Sequence, residues 1–284
     1  MKLLRYGPVG QEKPGLLDAQ GRVRDLSALV DDIGGATLLP EGLARLRAVD
    51  VASLPLVSGT PQVDLRLGPC VGQVGKCIGI GLNYSDHAAE AGMAVPPEPV
   101  IFNKWTSCLV GPNDDVQIPR GSVKTDWEVE LAFVIGQGGR YIDQSDAFKH
   151  VAGYCVMNDV SERDYQINRS GTWDKGKGHD SFGPLGPWLV TADEVPDPQR
   201  LSLWLDVDGQ RMQNGNTATM VYQVPFLVSY LSQFMTLQPG DVITTGTPPG
   251  VGMGHKPPVF LRAGQTMFLG VQGLGEQCQC VVQA

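Results

Sequence analysis

Two carboxylates lie inside an otherwise apolar stretch at residues 127–135, Trp127-Glu128-Val129-Glu130-Leu131-Ala132-Phe133-Val134-Ile135. Its aromatic and β-branched residues predict a single β-strand. Because side chains alternate between the two faces of a strand, the carboxylates share one face with Ala132 and Val134, and an apolar row forms the other face. Both faces contain apolar residues, so we expect neither to be fully exposed to solvent.

A third carboxylate, Asp159, ends a second predicted strand in Val156-Met157-Asn158-Asp159. Two like charges about 7 Å apart on one strand face would repel and would raise each other's pKa. A bound divalent cation would remove this conflict, and three oxygen ligands favour a hard ion such as Mg²⁺, Mn²⁺ or Ca²⁺. The alternative is that Glu128 and Glu130 lie on the wet face of an edge strand, since most glutamates are exposed.

The composition excludes several classes of function and predicts a β-rich protein. The chain has 284 residues, of which 42% are hydrophobic, enough for one large domain with or without a small one. Its net charge of -8 argues against nucleic acid as the main partner. No apolar stretch approaches the ~18 residues of a membrane helix, and we expect no membrane partner. The 36 glycines and 21 prolines predict many tight turns and few long helices.

The six cysteines show no Cys-x-x-Cys spacing, and the first residues lack the apolar run of a signal peptide. These features predict reduced thiols and a cytoplasmic protein.

The chain divides into two predicted units, a small N-terminal domain at residues 1–70 and a catalytic domain at residues 71–284. In the first unit we predict a hairpin at 13–23, short helices at 26–30 and 42–48, and a turn-rich linker at 54–67. In the second unit one clear helix, 224–234, has apolar residues at helical spacing and is expected to serve packing. Strands are predicted at 77–81, 101–104, 115–118, 128–135, 152–159, 187–191, 201–207, 241–244 and 277–283.

A histidine and a glutamate three residues apart occur in Asn83-Tyr84-Ser85-Asp86-His87-Ala88-Ala89-Glu90-Ala91-Gly92. On a helix, His87 and Glu90 would meet on one face, and a carboxylate beside an imidazole makes a general base for water. A proline-rich stretch follows, so we predict that residues 83–99, here named the lid segment, form a mobile lid. The alternative is that these residues form the end of a surface helix, on which His87 and Glu90 are an ordinary pair of neighbouring side chains without a catalytic role.

Two glycine-rich loops could complete a site. The loop at 173–184 contains Lys175 and Lys177, and a lysine aimed into an acidic metal site would polarise a carbonyl or bind a carboxylate. Solvated lysines are the alternative, and His179 in the same loop is expected to be structural. In the loop at 244–252, the backbone around Gly246 and the hydroxyl of Thr247 could cradle a carboxylate, or the loop could be a turn without function.

Taken together, these motifs resemble the fumarylacetoacetate hydrolase superfamily over residues 71–282. The matching pieces occur in the family's order at 81–90, 128–131, 158–166, 175–187 and 245–248. The resemblance implies a mainly β fold with short helices (α+β), namely a β-roll or folded β-sandwich with a small N-terminal domain. It also implies a homodimer or a higher homo-oligomer.

The resemblance assigns roles to individual residues. Mg²⁺ or Mn²⁺ would be held by Glu128, Glu130 and Asp159. The catalytic residues would be His87, Glu90 and Lys177, with Lys175 the weaker candidate. The substrate-binding positions would be Arg163, Gln166, Gly246 and Thr247. The animal enzymes of the family have a fourth acidic ligand upstream, which has no clear equivalent here.

The implied activity is the hydrolysis of a C–C bond in a 2,4-dioxo acid of the acylpyruvate type. The sequence as a whole resembles those of the bacterial 2,4-diketo-3-deoxy-L-rhamnonate and L-fuconate hydrolases, which release pyruvate and lactate. Fumarylpyruvate hydrolysis, oxaloacetate decarboxylation and oxo-acid isomerisation are alternatives within the superfamily. A non-catalytic protein that binds a metal and an oxo acid is an alternative of another class. His87 and Glu90 favour hydrolysis, because a decarboxylase needs no activated water.

Overall fold

The structure is a computed structural model that describes residues 1–57, 65–90, 92, 94–169 and 171–284. Its strands are β1 Lys2–Tyr6, β2 Lys13–Leu17, β3 Val23–Asp25, β4 Cys77–Gly81, β5 Val100–Lys104, β6 Leu109–Val110, β7 Val116–Ile118, β8 Thr125–Asp126, β9 Val129–Ile135, β10 Val151–Asn158, β11 Ser161–Glu162, β12 Gly183–Thr191, β13 Ser202–Val207, β14 Gln210–Asn216, β15 Val242–Thr244, β16 Thr266–Val271 and β17 Gly275–Gln283. The helices are α1 Pro40–Arg47, α2 Ser85–Glu90, α3 Asp174–Lys177 and α4 Val224–Phe234, with a π-helical turn at Asp164–Asn168. The predicted fold class, mainly β with short helices, is confirmed.

Two large sheets and one small one account for these strands. In the described part of the chain, the larger sheet runs in the order β3-β2-β1-β12-β10-β9-β15-β4-β5, with β6 beside β12. The second sheet runs β14-β13-β16-β17-β7, and β8 pairs with β11. Strand β9 is antiparallel to both of its neighbours, β10 and β15, so it lies well inside the larger sheet.

Strand β9 is buried on both faces, as its alternating pattern predicts. Val129, Leu131 and Phe133 join a core that includes side chains of α4 and of the second sheet. Ala132 and Val134 join a different core, shared with residues of α1 and the N-terminal strands. All seven residues of β9 are buried. The alternative of an edge strand with a wet face is therefore wrong.

Most other predicted elements are confirmed, with different ends. The predicted helix coincides with α4, in which Pro225 occupies the first turn, where a missing N–H breaks no helical hydrogen bond. The hairpin forms from β2 and β3, and α1 covers the second predicted short helix. The predicted helix at 26–30 is wrong, because the chain there makes only a turn in which Val30 N–H donates to Leu26 O. Six strands were not predicted: β1, β6, β8, β11, β14 and β16.

The predicted linker at 54–67 lies partly outside the described residues. Of its described part, Leu67 is buried and bridges to Tyr6 of β1. Strand β1 also pairs with β12, so the first three strands extend the larger sheet. The division of the chain at residue 70 stays a prediction. Within the described ranges, no helix combines the length and the apolar character needed to cross a membrane.

Candidate active site

The three carboxylates predicted from two separate strands come together in the structure. Glu128 directly precedes β9, Glu130 lies on it, and Asp159 directly follows β10. The backbone N–H of Asp159 donates to the carbonyl of Glu128 at 2.8 Å, which ties the two strands together at this point. All three side chains are buried, and their ligand oxygens lie within 4.8 Å of one another. This group, here named the carboxylate cluster, has the donor atoms that hard divalent ions prefer.

Glu130 is the member of the cluster that has no cationic neighbour in an ion pair among the described residues. Its Oε2 accepts from the backbone N–H of Gly246 at 2.7 Å and from the hydroxyl of Thr244. Burial raises the pKa of Glu130 well above its usual range, and the negative charges of Asp159 and Glu128 raise it further. A divalent cation would supply the missing positive charge, so the cluster fits such an ion.

Lys177 extends from α3 into the carboxylate cluster. Its Nζ donates to Glu128 Oε2 at 2.8 Å and to Asp159 Oδ2 at 2.7 Å, and it lies 4.9 Å from the centre of the Phe102 ring. Burial alone would raise the pKa of Glu128, but the charges of Lys177 and Arg163 outweigh it and lower that pKa to about 2. Glu128 is therefore an ionised ligand candidate at neutral pH.

Arg163, at the start of the π-helical turn, contacts Oε1 of Glu128, whereas Lys177 contacts Oε2. Its guanidinium forms ion pairs with Asp126 at 2.8 Å and with Glu128 at 2.7 Å, and it donates to Gln166 Oε1 at 3.0 Å. The structure thus places the predicted substrate-binding pair Arg163 and Gln166 beside the cluster. Local π-helical geometry is frequent at functional sites, because the extra residue redirects side chains.

The predicted general-base pair is formed on α2. Nδ1 of His87 lies 3.0 Å from Glu90 Oε2, and Glu90 also accepts from the backbone N–H of Gly250. Because Nδ1 faces a carboxylate, the ring is set to carry its proton there and to leave Nε2 as an acceptor. His87 lines the same cavity of about 330 Å³ as Glu128, Glu130, Asp159 and Lys177. The mobility of the lid segment stays a prediction, and its residues 91 and 93 lie outside the described ones.

The loop after β15 lines the cavity as well. Gly246 has a φ of +96°, a conformation that favours glycine, and this turns its N–H toward Glu130. The hydroxyl of Thr247 donates to Val129 O at 2.9 Å and accepts from Gln213 Nε2 at 2.8 Å. Both residues face the cavity, and their predicted role in binding a substrate carboxylate stays a prediction.

Two weaker candidates lie elsewhere. Lys175 is exposed, contacts the carbonyl of Arg169, and is not among the residues that line the cavity. His179 packs against the rings of Tyr165 and Phe182, with centroids 5.3 and 5.4 Å away, and its burial lowers its pKa. This aromatic packing agrees with the structural role expected for His179.

Two charged residues in the site escaped prediction. Lys104 is buried at the end of β5 and donates to Asp159 Oδ1 at 2.6 Å and to the carbonyl of Lys177. Asp126 is buried and accepts from Arg163 and from the backbone N–H groups of Gly252 and Met253. In the sequence, Lys104 lies two residues after Phe102, and Asp126 lies two residues before Glu128. A charged residue at such a spacing from another site residue is a weak signal on its own.

Comparison with known proteins agrees with this geometry. The family model described as fumarylacetoacetate (FAA) hydrolase C-terminal matches residues 76–282. A protein of Burkholderia cenocepacia (strain HI2424), named "Putative hydrolase", is 71% identical over 280 residues, which cover 98% of each chain.

Two solved structures share the whole fold. The maleylpyruvate hydrolase of Sphingobium sp. SYK-6, in complex with manganese(II) ion and pyruvate, is 30% identical, with a TM-score of 0.82 over 100% of both chains. The 5-carboxymethyl-2-hydroxymuconate delta-isomerase of Mycobacterium smegmatis is 32% identical, with a TM-score of 0.77 over 100% of this chain and 99% of that one. The cavity, its buried carboxylates and these similarities lead to one conclusion: the chain belongs to the fumarylacetoacetate hydrolase family and is an enzyme of that superfamily.

Proposed function

We propose that the protein is a metal-dependent hydrolase that cleaves the C3–C4 bond of a 2,4-dioxo acid to give pyruvate and a second carboxylic acid. The observation that carries the proposal is the 3.0 Å contact between His87 Nδ1 and Glu90 in the cavity of the carboxylate cluster. Isomerisation and decarboxylation need no activated water, whereas hydrolysis does. Within this class, 2,4-diketo-3-deoxy-L-rhamnonate and L-fuconate, which would yield lactate, are our candidate substrates.

The cluster Glu128, Glu130 and Asp159 would hold Mg²⁺ or Mn²⁺. When bound, such an ion supplies Lewis-acid and orienting chemistry for the 2-oxo acid group. The chain's own contribution is to keep these carboxylates together. Lys104, Lys177 and Arg163 offset part of their mutual repulsion.

His87 would take a proton from water through Nε2, while Glu90 stabilises the imidazolium that forms. The resulting hydroxide adds to the C4 carbonyl of the substrate. Lys177 has three N–H donors and uses two on the cluster, so the third can face the developing oxyanion.

Collapse of this oxyanion would break the C3–C4 bond. The electron pair of that bond moves to C3, which takes a proton and becomes the methyl group of pyruvate. The oxygen from water stays on the second product, a carboxylate. One proton is released overall, and His87 returns to its neutral form.

The test is a pyruvate-release assay over a panel of 2,4-dioxo acids, with chelator-treated protein supplied with Mg²⁺ or Mn²⁺. We expect His87→Ala to lower kcat by about 10²- to 10⁴-fold while Mn²⁺ affinity stays unchanged. His150→Ala is the matched control, because Nδ1 of its ring bonds to the carbonyl of Gln137 and His150 is not among the residues that line the cavity. Unchanged pyruvate release by His87→Ala would show that the hydrolytic mechanism is wrong.

The same assay separates the alternatives. Fumarylpyruvate hydrolysis would give fumarate, oxaloacetate decarboxylation would release CO₂ without a second acid, and isomerisation would change the ultraviolet spectrum without pyruvate release. The similarity to an isomerase makes this last control necessary. A protein that binds oxo acids with the metal and converts none of them would be a binding protein. Self-association as a homodimer or higher homo-oligomer and a cytoplasmic location remain part of the proposal.

A further inference from the structure

The cavity has two chemically different walls. The carboxylate cluster, Lys177, Arg163 and His87 form a charged wall. Six apolar side chains also line the cavity and are here named the apolar wall: Ile80, Leu82, Phe102, Ile167, Trp173 and Met253. They come from β4, β5, the π-helical turn and three further segments between strands, so several separate parts of the chain contribute apolar surface to one place.

Two glycines of β4 make room for the aromatic part of this wall. A Cβ on Gly81 would lie 2.3 Å from the Trp173 ring, and a Cβ on Gly79 would lie 2.1 Å from the Phe102 ring. The two rings contact each other with centroids 5.5 Å apart. Gly79 and Gly81 are two residues apart, so they lie on the same face of the strand. The strand thus accommodates both rings at close range.

The cations near the cavity are already paired with protein carboxylates. Lys104 pairs with Asp159, Lys177 pairs with Glu128 and Asp159, and Arg163 pairs with Asp126 and Glu128. Lys177 and Arg163 are the only Lys or Arg residues among the described ones that line the cavity, and both lie on the charged wall. The residues outside the described ranges, at 58–64, 91, 93 and 170, include no Lys, Arg or His.

We propose that the acyl tail of the substrate, beyond its 4-oxo group, is uncharged and mainly apolar, and that the apolar wall selects it. This inference rests on the proposed hydrolase function. A carboxylate at the far end of the tail would lose its water against Trp173 and Ile167, which is unfavourable. The cation nearest to Phe102 is Lys177, 4.9 Å from the ring centre, and it already pairs with two protein carboxylates. A short tail that ends in a methyl group gains from the same contacts, because burial of apolar surface is favourable.

The discriminating substrates are 2,4-dioxoheptanoate and 2,4-dioxoheptanedioate, which have equal carbon numbers and differ in a terminal methyl against a terminal carboxylate. With Mg²⁺-loaded wild-type protein we expect kcat/KM for the methyl-ended acid to exceed that for the dicarboxylate by about tenfold or more. A dicarboxylate cleaved as well or better would overturn the inference and leave the hydrolase proposal intact.

If neither compound is cleaved, calorimetric affinities of the two compounds decide the inference by the same criterion, and the panel of 2,4-dioxo acids decides the hydrolase proposal. Tighter binding of 2,4-dioxoheptanoate supports the apolar selection, and equal or weaker binding overturns it.

Ile167 allows the wall to be changed without disturbing the core. It lies at the rim of the cavity, is 53% exposed and carries no charge. We expect Ile167→Arg to raise kcat/KM for the dicarboxylate by about two- to fivefold through a solvent-screened ion pair. Ile167→Gln, a polar but neutral control, is expected to give no such gain. Equal effects of the two variants, or no gain with Ile167→Arg, would show that charge at this wall does not determine selectivity.

Discussion

The carboxylate cluster and the general-base pair on α2 are held in very different ways. Glu130 lies on a strand paired on both sides, and Asp159 follows a strand that is also paired on both sides. His87 and Glu90 lie on a helix of six residues. It contacts the rest of the protein through hydrogen bonds such as that from the Gly250 N–H to Glu90 and that from the Ser85 hydroxyl to the carbonyl of Thr219. The carboxylates of the cluster repel one another, so rigid strands are needed to hold them together. His87, which transfers a proton, needs only the correct orientation.

The buried cations around the carboxylate cluster contribute to the free energy of unfolding. Lys104 and Asp159 are both 0% exposed, so breaking their ion pair leaves a buried charge with less compensation. The sheet can keep like charges close only because such cations are buried with them. Removing a cation that neutralises the cluster should therefore destabilise the whole protein, whereas perturbing the lid segment should leave the sheet intact.

The largest effect is expected for Lys104→Met. Removing one partner of a buried ion pair costs about 3–5 kcal/mol of unfolding free energy, because the remaining carboxylate of Asp159 stays buried. Urea denaturation of metal-free protein measures the loss. Lys149→Met is the matched control, since Lys149 and Asp146 form a surface ion pair with side chains 73% and 49% exposed. A loss no greater than that of the control would refute the view that Lys104 stabilises the cluster.

The next effect concerns the metal. At a concentration one hundred times its Kd, Mg²⁺ is expected to stabilise the wild-type protein by about 2.7 kcal/mol, because only the folded state brings the carboxylates together. Glu130→Gln should lose this stabilisation. The same variant should be at least as stable as the wild type without metal, since it removes a buried carboxyl group whose ionisation is opposed by burial and by Asp159 and Glu128.

Thermal unfolding with and without Mg²⁺ checks both parts. Glu41→Gln, at an exposed position in the first turn of α1, is the control and should keep the metal response. If Glu130→Gln kept the full response, the cluster would not be the metal site.

The carboxylate cluster and its strands were more predictable from the sequence than the helix α2 and its surroundings. Alternation in residues 127–135 predicted both faces of β9, and a carboxylate directly after the neighbouring strand was enough to predict the cluster. Such patterns are local, because a strand's period depends on its own residues. The pairing of His87 with Glu90 was also predictable, since three residues of helix bring them together.

What could not be predicted depends on contacts distant in sequence. A lysine such as Lys104 suggests solvent exposure until the fold brings Asp159 beside it, 55 residues away. Strand β14 was missed because its sequence, Gln210 to Asn216, is polar and lies at the edge of the second sheet. The role of Asp126 depends on the loop that contains Gly252, 126 residues further along the chain.

The smallest effect should separate the two regions most clearly. Tyr222 donates its hydroxyl to the carbonyl of Pro96 in the lid segment. Tyr222→Phe removes one hydrogen bond, so we expect it to lower the local opening free energy of α2 by about 0.5–1.5 kcal/mol. Hydrogen–deuterium exchange should then be faster in residues 85–90 and unchanged in β9.

Tyr141→Phe is the control for this experiment, because Tyr141 is exposed and its hydroxyl accepts from the neighbouring Arg140. It should change exchange in neither region. If Tyr222→Phe accelerated exchange in β9 as much as in α2, the lid segment and the sheet would open together. The frame that holds the carboxylates would then not be independent of the helix that orients His87, because a shared opening would expose both at the same free energy.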